Sequence, residues 1–291
     1  MKRNPLTPYL FLVPGCMILG AFIFYPMLQA IWLSFTDYNM VTEEQFVGLE
    51  NYGTLFQDDL FWKVLVQTLI YLVGVVPALV ILPIFLAILV NQKLKGIGFF
   101  RSVFYIPVVT SWVVAGIAWE WVYANNGILN YLLDIFGIIN APIHWLTSTN
   151  TALFAVMAVT VWKGLGYYMV IYLAGLQSIP SELYEAADID GANLWQKISK
   201  VTIPLLMPSI MIVSVMSSIA AMKVFEEIYI MTGGGPLNSS KTLVLYIYEE
   251  AFQKLNMGYA SAAGVVLFII TLIFAVINIR IMGKKESSIQ G

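Results

Sequence analysis

Charged side chains are scarce in this sequence. Asp, Glu, Lys and Arg make up only 11% of its 291 residues, whereas 59% of the residues are hydrophobic. A soluble domain carries about 25% charged residues, so this chain lacks the polar surface that it would need in water. The composition predicts a membrane protein that crosses the bilayer several times.

Cysteine and histidine are almost absent as well. Cys16 is the single cysteine, which excludes an internal disulfide, and His144 is the single histidine. Zinc sites and histidine-based triads need several such residues, and a nucleotide-binding loop needs a G-x-x-x-x-G-K-[ST] motif that the sequence does not contain. We therefore predict that the chain is not an enzyme and binds no metal or cofactor.

Long apolar segments dominate the sequence. Six of them are long enough to span a membrane as a helix, which takes about 20 residues. They cover residues 9–35, 64–90, 102–123, 152–176, 205–231 and 260–282. We predict an all-α polytopic fold with six transmembrane helices in a single domain, residues 1–291.

Prolines and polar stretches predict further detail. Pro77 and Pro83 predict a kink in the second segment, and Pro107 a break in the third. Apolar residues within 128–139 suggest a helix along the membrane surface. We expect 232–259 to form an external loop and 283–291 a short basic tail.

Lysine and arginine are unevenly distributed between the loops. If the amino terminus is cytoplasmic, the residues on the inside are Lys2, Arg3, Lys93, Lys95, Arg101, Lys197, Lys200, Arg280, Lys284 and Lys285. Those on the outside are only Lys63, Lys241 and Lys254. The positive-inside rule then places both termini in the cytoplasm, together with residues 177–204.

Residues 177–204, between the fourth and fifth spans, are polar but rich in helix-forming residues. On either side of Gly191, apolar residues recur at helical spacing. They are Leu183, Ala186 and Ala187 before it, and Leu194, Trp195, Ile198 and Val201 after it. We predict two short amphipathic helices, joined by a glycine hinge and ended by Pro204. Their apolar face either docks into a partner protein or rests among the lipid headgroups.

The same segment carries a recognisable spacing. Glu185-Ala186-Ala187, with Gly191 after three further residues and Val201-Thr202-Ile203-Pro204 nine residues later, resembles the EAA loop of binding-protein-dependent ABC importer permeases. Residues 34–39, 46–52, 231–236 and 258–262 are similar to carbohydrate importer permeases of the maltose/glycerol-phosphate type. Because these matches lie at the front, middle and back, the resemblance covers essentially the whole chain. Maltose-type permeases with a large external domain match less well, since no loop here is long enough to hold one.

The resemblance implies a type I ABC importer permease in the bacterial plasma membrane, working by alternating access. It implies four kinds of partner besides the lipid bilayer and no nucleic acid: a second similar permease that completes a heterodimeric path, two cytoplasmic ATPase subunits that hold ATP and Mg, an extracytoplasmic solute-binding protein, and a carbohydrate substrate. It also implies that ATPase coupling rests on residues of 177–204. These are Glu185, Ala186, Ala187, Asp190, Gly191, Ala192, Leu194, Trp195, Ile198 and Pro204.

Polar and aromatic residues inside the spans are candidates for a sugar path. A charged side chain at the bilayer centre costs roughly 2.5–3.5 kcal/mol, so Lys163 should face a cavity or a partner. It either donates hydrogen bonds to sugar hydroxyls, or pairs with Glu120 or Glu226, or snorkels to the membrane interface if the helix is shifted. The full candidate set is Trp119, Glu120, Trp162, Lys163, Tyr167, Tyr168, Lys223, Glu226 and Glu227.

Each member of this set also has a structural interpretation. Lys223 lies three and four residues before Glu226 and Glu227, which would allow an ion pair within one helix. The aromatic residues either stack on sugar rings or serve as packing and as an interfacial belt.

Two other classes of protein remain as alternatives. An ion-coupled secondary transporter usually carries carboxylates at the midplane and inverted repeats. A membrane-embedded enzyme needs a catalytic constellation. Neither feature is evident in the sequence.

Overall fold

A computed structural model of the chain describes residues 7–92 and 95–290, with the side chains of 11–92 and 95–280. Lys2, Arg3 and Lys93 of the charge distribution lie outside the described residues. Within those ranges the elements are helices and one small hairpin, in which β1 (Thr36–Asp37) pairs antiparallel with β2 (Gln45–Phe46). The all-α membrane fold predicted from the sequence is confirmed.

The helices are short at the loops and long within the apolar segments. In chain order they are α1 (Thr7–Leu19), α2 (Tyr25–Leu33), α3 (Glu50–Gln57), α4 (Asp59–Val90), α5 (Ile97–Val109), α6 (Trp112–Tyr123), α7 (Ile128–Ile135), α8 (Ala152–Gln177), α9 (Ser181–Ile189), α10 (Leu194–Lys197), α11 (Ile203–Leu205), α12 (Met207–Met222), α13 (Glu226–Met231), α14 (Leu243–Tyr248) and α15 (Met257–Gln290). π-helical turns lie at Gly20–Phe24, Ile198–Thr202 and Glu249–Gln253.

Four of the predicted spans are single long helical stretches. They are Phe11–Leu33, Asp59–Val90, Ala152–Gln177 and Met257–Arg280. Two bent pairs of helices, Ile97–Val109 with Trp112–Ile135 and Leu194–Leu205 with Met207–Met222, bring the number of spans in the described residues to six if each pair counts as one. Helix α4 runs through Pro77 and Pro83 without interruption.

The predicted third span differs from the structure in where it breaks. Helix α5 begins at Ile97 rather than at residue 102, and it continues through Pro107. The chain instead turns by 100° at Thr110 and Ser111, and the Ser111 hydroxyl caps α6 by accepting a hydrogen bond from the Val113 amide at 3.2 Å. Pro107 removes the one hydrogen bond that its amide would donate to the Val103 carbonyl, and the helix continues for two residues beyond it. The break is set by the N-cap and not by the proline.

The predicted fifth span is also shorter than expected. Helix α12 ends at Met222, and α13 begins only at Glu226 after three residues of non-helical or distorted backbone. The following region, 232–259, was predicted to be a loop but contains α14 and a π-helical turn. The predicted basic tail is likewise helical, because α15 continues to Gln290.

The chain divides into two compact units by its internal contacts. The first consists of Met1–Trp62 and Tyr246–Ile269, and the second of Lys63–Leu245 and Ile270–Gly291.

In the first unit, an asparagine fastens the hairpin to the helix that follows it. The Asn51 side chain donates to the carbonyl oxygens of Ser34 and Thr36 at 3.0 and 2.8 Å. The Ser34 and Tyr52 hydroxyls lie 2.7 Å apart. These residues lie in the stretches 34–39 and 46–52 that carry the resemblance, so the similarity there reflects a local fold.

In the second unit, α8 forms the centre. Val156, Val159, Met169 and Tyr172 on this helix are fully buried. It packs against α5, α12 and α13. Helices in a bilayer are held together by close van der Waals packing and not by removal of apolar surface from water, so these contacts make α8 the packing centre of this unit.

Candidate functional site

The segment 177–204, which we call the coupling segment, turns sharply after its first helix. Gly191 follows α9 with φ of +70°, a conformation that favours glycine. The Gly191 amide donates to the Asp188 carbonyl at 3.0 Å, and the Ala192 amide donates to the Ala187 carbonyl at 2.9 Å. This pair of bonds is a Schellman C-cap, so the predicted glycine hinge is a fixed turn.

The second half of the coupling segment starts with its own cap. The Asn193 side chain accepts from the Gln196 amide at 2.9 Å, while the Gln196 side chain accepts from the Asn193 amide at 2.8 Å. This capping box starts α10. A salt bridge between Lys197 and Asp188 then joins the two helices across the turn.

The two predicted short helices are present, but Pro204 does not end the second one. Pro204 lies in the first turn of α11, where the missing amide costs nothing. The chain bends by 68° after Leu205, at the junction with α12. The end of the coupling segment is therefore one or two residues beyond the proline.

Several apolar side chains of the coupling segment point away from the rest of the chain. Ile189 is 87% exposed, and Leu194 and Trp195 are each 69% exposed. Glu185, Ala186, Asp190 and Gly191 are exposed too, whereas Ala187, Ala192, Ile198 and Pro204 are half-buried. The coupling segment thus presents an apolar surface that its own polypeptide does not cover.

A cavity of about 500 Å³ lies in the second unit, between α4, α8, α12 and the breaks after α5 and α12. It brings together six of the predicted path residues: Lys163, Tyr167, Tyr168, Lys223, Glu226 and Glu227. Its size falls in the range of small-molecule sites, which are typically 300–1,000 Å³.

Lys163 is buried at the edge of this cavity. Its Nζ donates to the carbonyl oxygens of Pro107, Val108 and Thr110 at 2.8, 3.2 and 2.5 Å. It also lies 5.0 Å from the centre of the Trp112 ring. The partners predicted for it, Glu120 and Glu226, are not its hydrogen-bond partners in the described structure, because the open carbonyls at the end of α5 lie closer.

Glu227 is also buried in the cavity wall. Its Oε1 lies 3.3 Å from the Tyr71 hydroxyl and 3.5 Å from the Thr160 hydroxyl, and those two hydroxyls are 2.6 Å apart. Because Tyr71 is on α4, Thr160 on α8 and Glu227 on α13, this cluster ties three helices together at the cavity wall.

The predicted ion pair of Lys223 with Glu226 or Glu227 does not form among the described salt bridges. Helix α12 ends before Lys223, so the three residues do not share one helix and the spacing argument fails. Lys223 and Glu226 are both exposed at the cavity.

Three other predicted path residues lie away from the cavity lining. Trp119 and Trp162 pack edge to face, with ring centres 5.3 Å apart, and Trp119 also lies 5.3 Å from Tyr123. Glu120 is not among the lining residues either. The two tryptophans therefore form a separate aromatic cluster.

Five polar or aromatic lining residues were not predicted from the sequence: Tyr71, Trp112, Thr160, Ser217 and Phe225. Thr160 and Tyr167 lie three and four residues from Lys163 and therefore share its helix face, whereas Trp162 lies on another face. Thr160 could thus have been predicted from the sequence. Tyr71 and Trp112 are ordinary aromatic residues within apolar runs, and no sequence pattern distinguishes them.

Comparison with known proteins gives extensive matches. Residues 59–283 match the family described as "Binding-protein-dependent transport system inner membrane component". The chain is 31% identical over 290 residues to the probable starch degradation products transport system permease protein AmyD of Thermoanaerobacterium thermosulfurigenes, covering 98% of this chain and 96% of AmyD. It is 36% identical over 274 residues to the lactose transport system permease protein LacF of Rhizobium radiobacter, covering 93% of this chain and 91% of LacF.

The fold is also similar to that of a solved structure. A chain in the crystal structure of a bacterial alginate ABC transporter, in complex with an alginate pentasaccharide-bound periplasmic protein, superposes with a TM-score of 0.83. The match covers 96% of this chain and 94% of that chain, at 24% identity.

Proposed function

Because the chain belongs to the family of binding-protein-dependent transport system inner membrane components, we propose that it is the permease subunit of an ATP-driven carbohydrate importer. The observation that carries this proposal is similarity over nearly the whole chain to permeases named for the transport of starch degradation products and of lactose. The chain itself performs no catalysis, and a partner subunit hydrolyses the ATP.

The substrate passes, in this proposal, through the 500 Å³ cavity of the second unit. Sugars offer apolar C–H faces and many hydroxyl groups. Tyr167 and Tyr168 supply aromatic surface, while Lys223 and Glu226 supply a donor and an acceptor at the exposed part of the wall. A path of this composition suits a polar, ring-shaped solute.

The coupling segment transmits the ATPase cycle to the helix bundle. Its exposed Leu194 and Trp195 seat in a groove of the cytoplasmic ATPase, and Glu185 makes a polar contact beside them. The Schellman turn at Gly191 and the salt bridge across it keep the segment rigid, so that closure of the ATPases moves α12. Alternating access then follows from a rigid lever acting on a bundle with broken helices.

The complete transporter contains three further kinds of subunit. A second, similar permease forms the other half of the path, two ATPase subunits bind the cytoplasmic side, and a solute-binding protein delivers the sugar from outside. Both termini and the coupling segment lie in the cytoplasm, in agreement with the excess of lysine and arginine on that side. ATP and Mg are held by the ATPase subunits and not by this chain.

Reconstitution in lipid vesicles tests the proposal. The chain, its partner permease, the ATPases and the binding protein are assembled, and ATP hydrolysis and uptake are measured with a panel of labelled oligosaccharides. We expect at least one sugar to stimulate both, with amino acids as inactive control cargo. Stimulation by amino acids alone would contradict the carbohydrate assignment. Uptake driven by an ion gradient without ATP would favour the secondary transporter instead.

A further inference from the structure

We propose that Lys163 is a positioning residue that holds the bend between α5 and α6 and does not itself bind the transported solute. Its side chain is buried, with 8% of its surface exposed. Its Nζ reaches the carbonyl oxygens of Pro107 and Val108, in the last turn of α5, and of Thr110, at the 100° turn itself. The ammonium group therefore lies at the carboxyl end of α5.

All N–H donors of the Lys163 ammonium group are already used, so none is left for a transported solute. A lysine ammonium group has three N–H donors and no acceptor. The three carbonyl contacts, at 2.8, 3.2 and 2.5 Å, match these three donors one to one. A sugar hydroxyl could bind Lys163 only by displacing one of the carbonyls.

The position also explains why a cation is stable at this depth. The last turn of a helix has carbonyl groups without partners and carries partial negative charge, which favours a cation. At the same end, the Thr110 hydroxyl donates to the Ile106 carbonyl at 3.0 Å. The Trp112 ring, 5.0 Å from Nζ and just beyond the turn, adds a cation–π contact from the α6 side. Lys163 thus contacts both arms of the bend.

A second close contact fixes the distance between α8 and α5. A Cβ atom added at Gly166 would lie 2.1 Å from the Phe104 carbonyl oxygen, so the two backbones touch at this point. Gly166 is three residues from Lys163 and therefore about one turn along the same face of α8. Because Gly166 has no side chain, α8 lies close enough to α5 for the Lys163 side chain to reach the end of α5.

The acidic residues of the cavity have other arrangements. Glu227 lies against the Tyr71 and Thr160 hydroxyls, and no salt bridge between described residues joins it or Glu226 to Lys163. The ammonium group of Lys163 is thus hydrogen-bonded by backbone carbonyls. Substrate selectivity should then depend on the other residues that line the cavity. This inference deepens the proposed function, and it rests on that function only where uptake of sugar is measured.

Distance measurement across the bend tests the inference directly. In a Cys16→Ser background, which has no other cysteine, spin labels are placed at Phe99→Cys on α5 and Trp121→Cys on α6, both exposed positions. The distribution of distances between the labels is recorded in the assembled transporter in lipid, with Lys163 and with Lys163→Met. We expect one narrow distance with lysine and a broad, shifted distribution with methionine, together with at least a tenfold loss of uptake.

Two conservative variants sharpen the outcome. Lys163→Arg keeps several donors and should restore a narrow distribution with the KM for sugar within about twofold of the parent. Lys163→Gln keeps two donors and should give an intermediate width, which also serves if Lys163→Met fails to assemble. An unchanged distribution in Lys163→Met, or a tenfold rise in KM in Lys163→Arg without a change in distance, would overturn the inference. Because the distances need no substrate, this failure is distinct from an absence of sugar-stimulated transport in the parent.

Discussion

The hydroxyl of Tyr184 lies 3.0 Å from the hydroxyl of Thr202, and this hydrogen bond joins the first helix of the coupling segment to its last π-helical turn. Thr202 is buried and Tyr184 is half-buried, so the bond is shielded from water. Together with the salt bridge between Lys197 and Asp188, it closes the segment into one rigid piece. The proposed coupling to the ATPase subunits requires rigidity of this kind.

Tyr184→Phe removes this bond without changing the shape of the ring. A hydrogen bond of this type is worth about 1 kcal/mol, so the closed arrangement of the segment should become about fivefold less favoured. We expect more ATP to be hydrolysed for each sugar imported, with assembly unchanged. The ratio of hydrolysis to uptake in vesicles measures this. An unchanged ratio would show that the two halves need not move together.

Leu194→Asp places a charge on the exposed apolar face of the coupling segment. If that face seats in the ATPase, burying the carboxylate costs several kcal/mol and the complex should lose affinity by at least tenfold. Co-purification of the ATPase with the permease measures this. Lys200→Asp is the control, because Lys200 is exposed on the same segment but is not part of its apolar surface. Equal loss in both variants would point to charge and not to a specific apolar contact.

The long helices were predicted correctly because a bilayer-spanning segment must be apolar and about 20 residues long. Uninterrupted apolar sequence of sufficient length has one stable form in lipid, which is a helix. The predicted segment 152–176 matches Ala152–Gln177 to within one residue. The turn at Gly191 was also predictable, since glycine between two periodic stretches is a local signal.

The breaks inside spans were not predictable in the same way. Pro107 was the obvious candidate, yet the turn falls at Thr110 and Ser111, where carbonyl groups are satisfied by Lys163 from a distant part of the chain. The end of α12 before Lys223 likewise depends on tertiary packing. A residue far along the sequence can form hydrogen bonds with backbone carbonyls that have no partner within their own helix. The sequence around the break does not reveal such a residue.

The cavity was predicted in part. Lys163 and Glu227 were identified because charge in a span demands an explanation. Tyr71 completes the cluster around Glu227, but a tyrosine in an apolar run carries no such signal. Trp162 was selected for its type and neighbours, although helical spacing places it on a different face from Tyr167.

Asp58 gives a prediction for pH dependence in the first unit. Burial alone would raise the pKa of its carboxyl group, but hydrogen bonds from the Tyr246 hydroxyl at 2.6 Å, the Leu60 amide at 2.8 Å and the Tyr259 hydroxyl at 3.2 Å outweigh it and hold the pKa below its usual value. The ionised form is therefore the one that the fold favours. A lowered pKa stabilises the fold above the usual value of about 3.9, and this contribution is lost as pH falls through the folded-state pKa.

We expect Asp58→Asn to lower the unfolding temperature at pH 7 by about 2–4 °C, the shift that follows from losing roughly 1 kcal/mol in a protein of this size. The difference from the parent should shrink as the pH is lowered below about 4. Thermal unfolding in detergent across this pH range provides the measurement. Asp59→Asn is the control, because Asp59 is exposed and should change the unfolding temperature less. A constant difference at all pH values would show that the charge of Asp58 is not responsible.

Gly166→Ala tests the closest backbone contact in the second unit. The new methyl group would lie 2.1 Å from the Phe104 carbonyl oxygen, and because that atom belongs to the backbone of α5, it cannot rotate away. Overpacking of this kind costs about 1–3 kcal/mol, so α8 should move away from α5 and the unfolding temperature should fall by about 2–12 °C. Displacement of α8 also withdraws Lys163 from its carbonyl partners, and uptake should fall with stability.

Gly98→Ala is the matched control for this last variant. Gly98 lies in α5 as well, and an added Cβ there meets no atom within 4 Å. Alanine is favoured over glycine in helices by roughly 0.5–1 kcal/mol, so this variant should be neutral or slightly more stable. If Gly166→Ala were as stable and as active as Gly98→Ala, the two helices would have to lie further apart than the structure places them. The reach of Lys163 to the end of α5 would then need a different explanation.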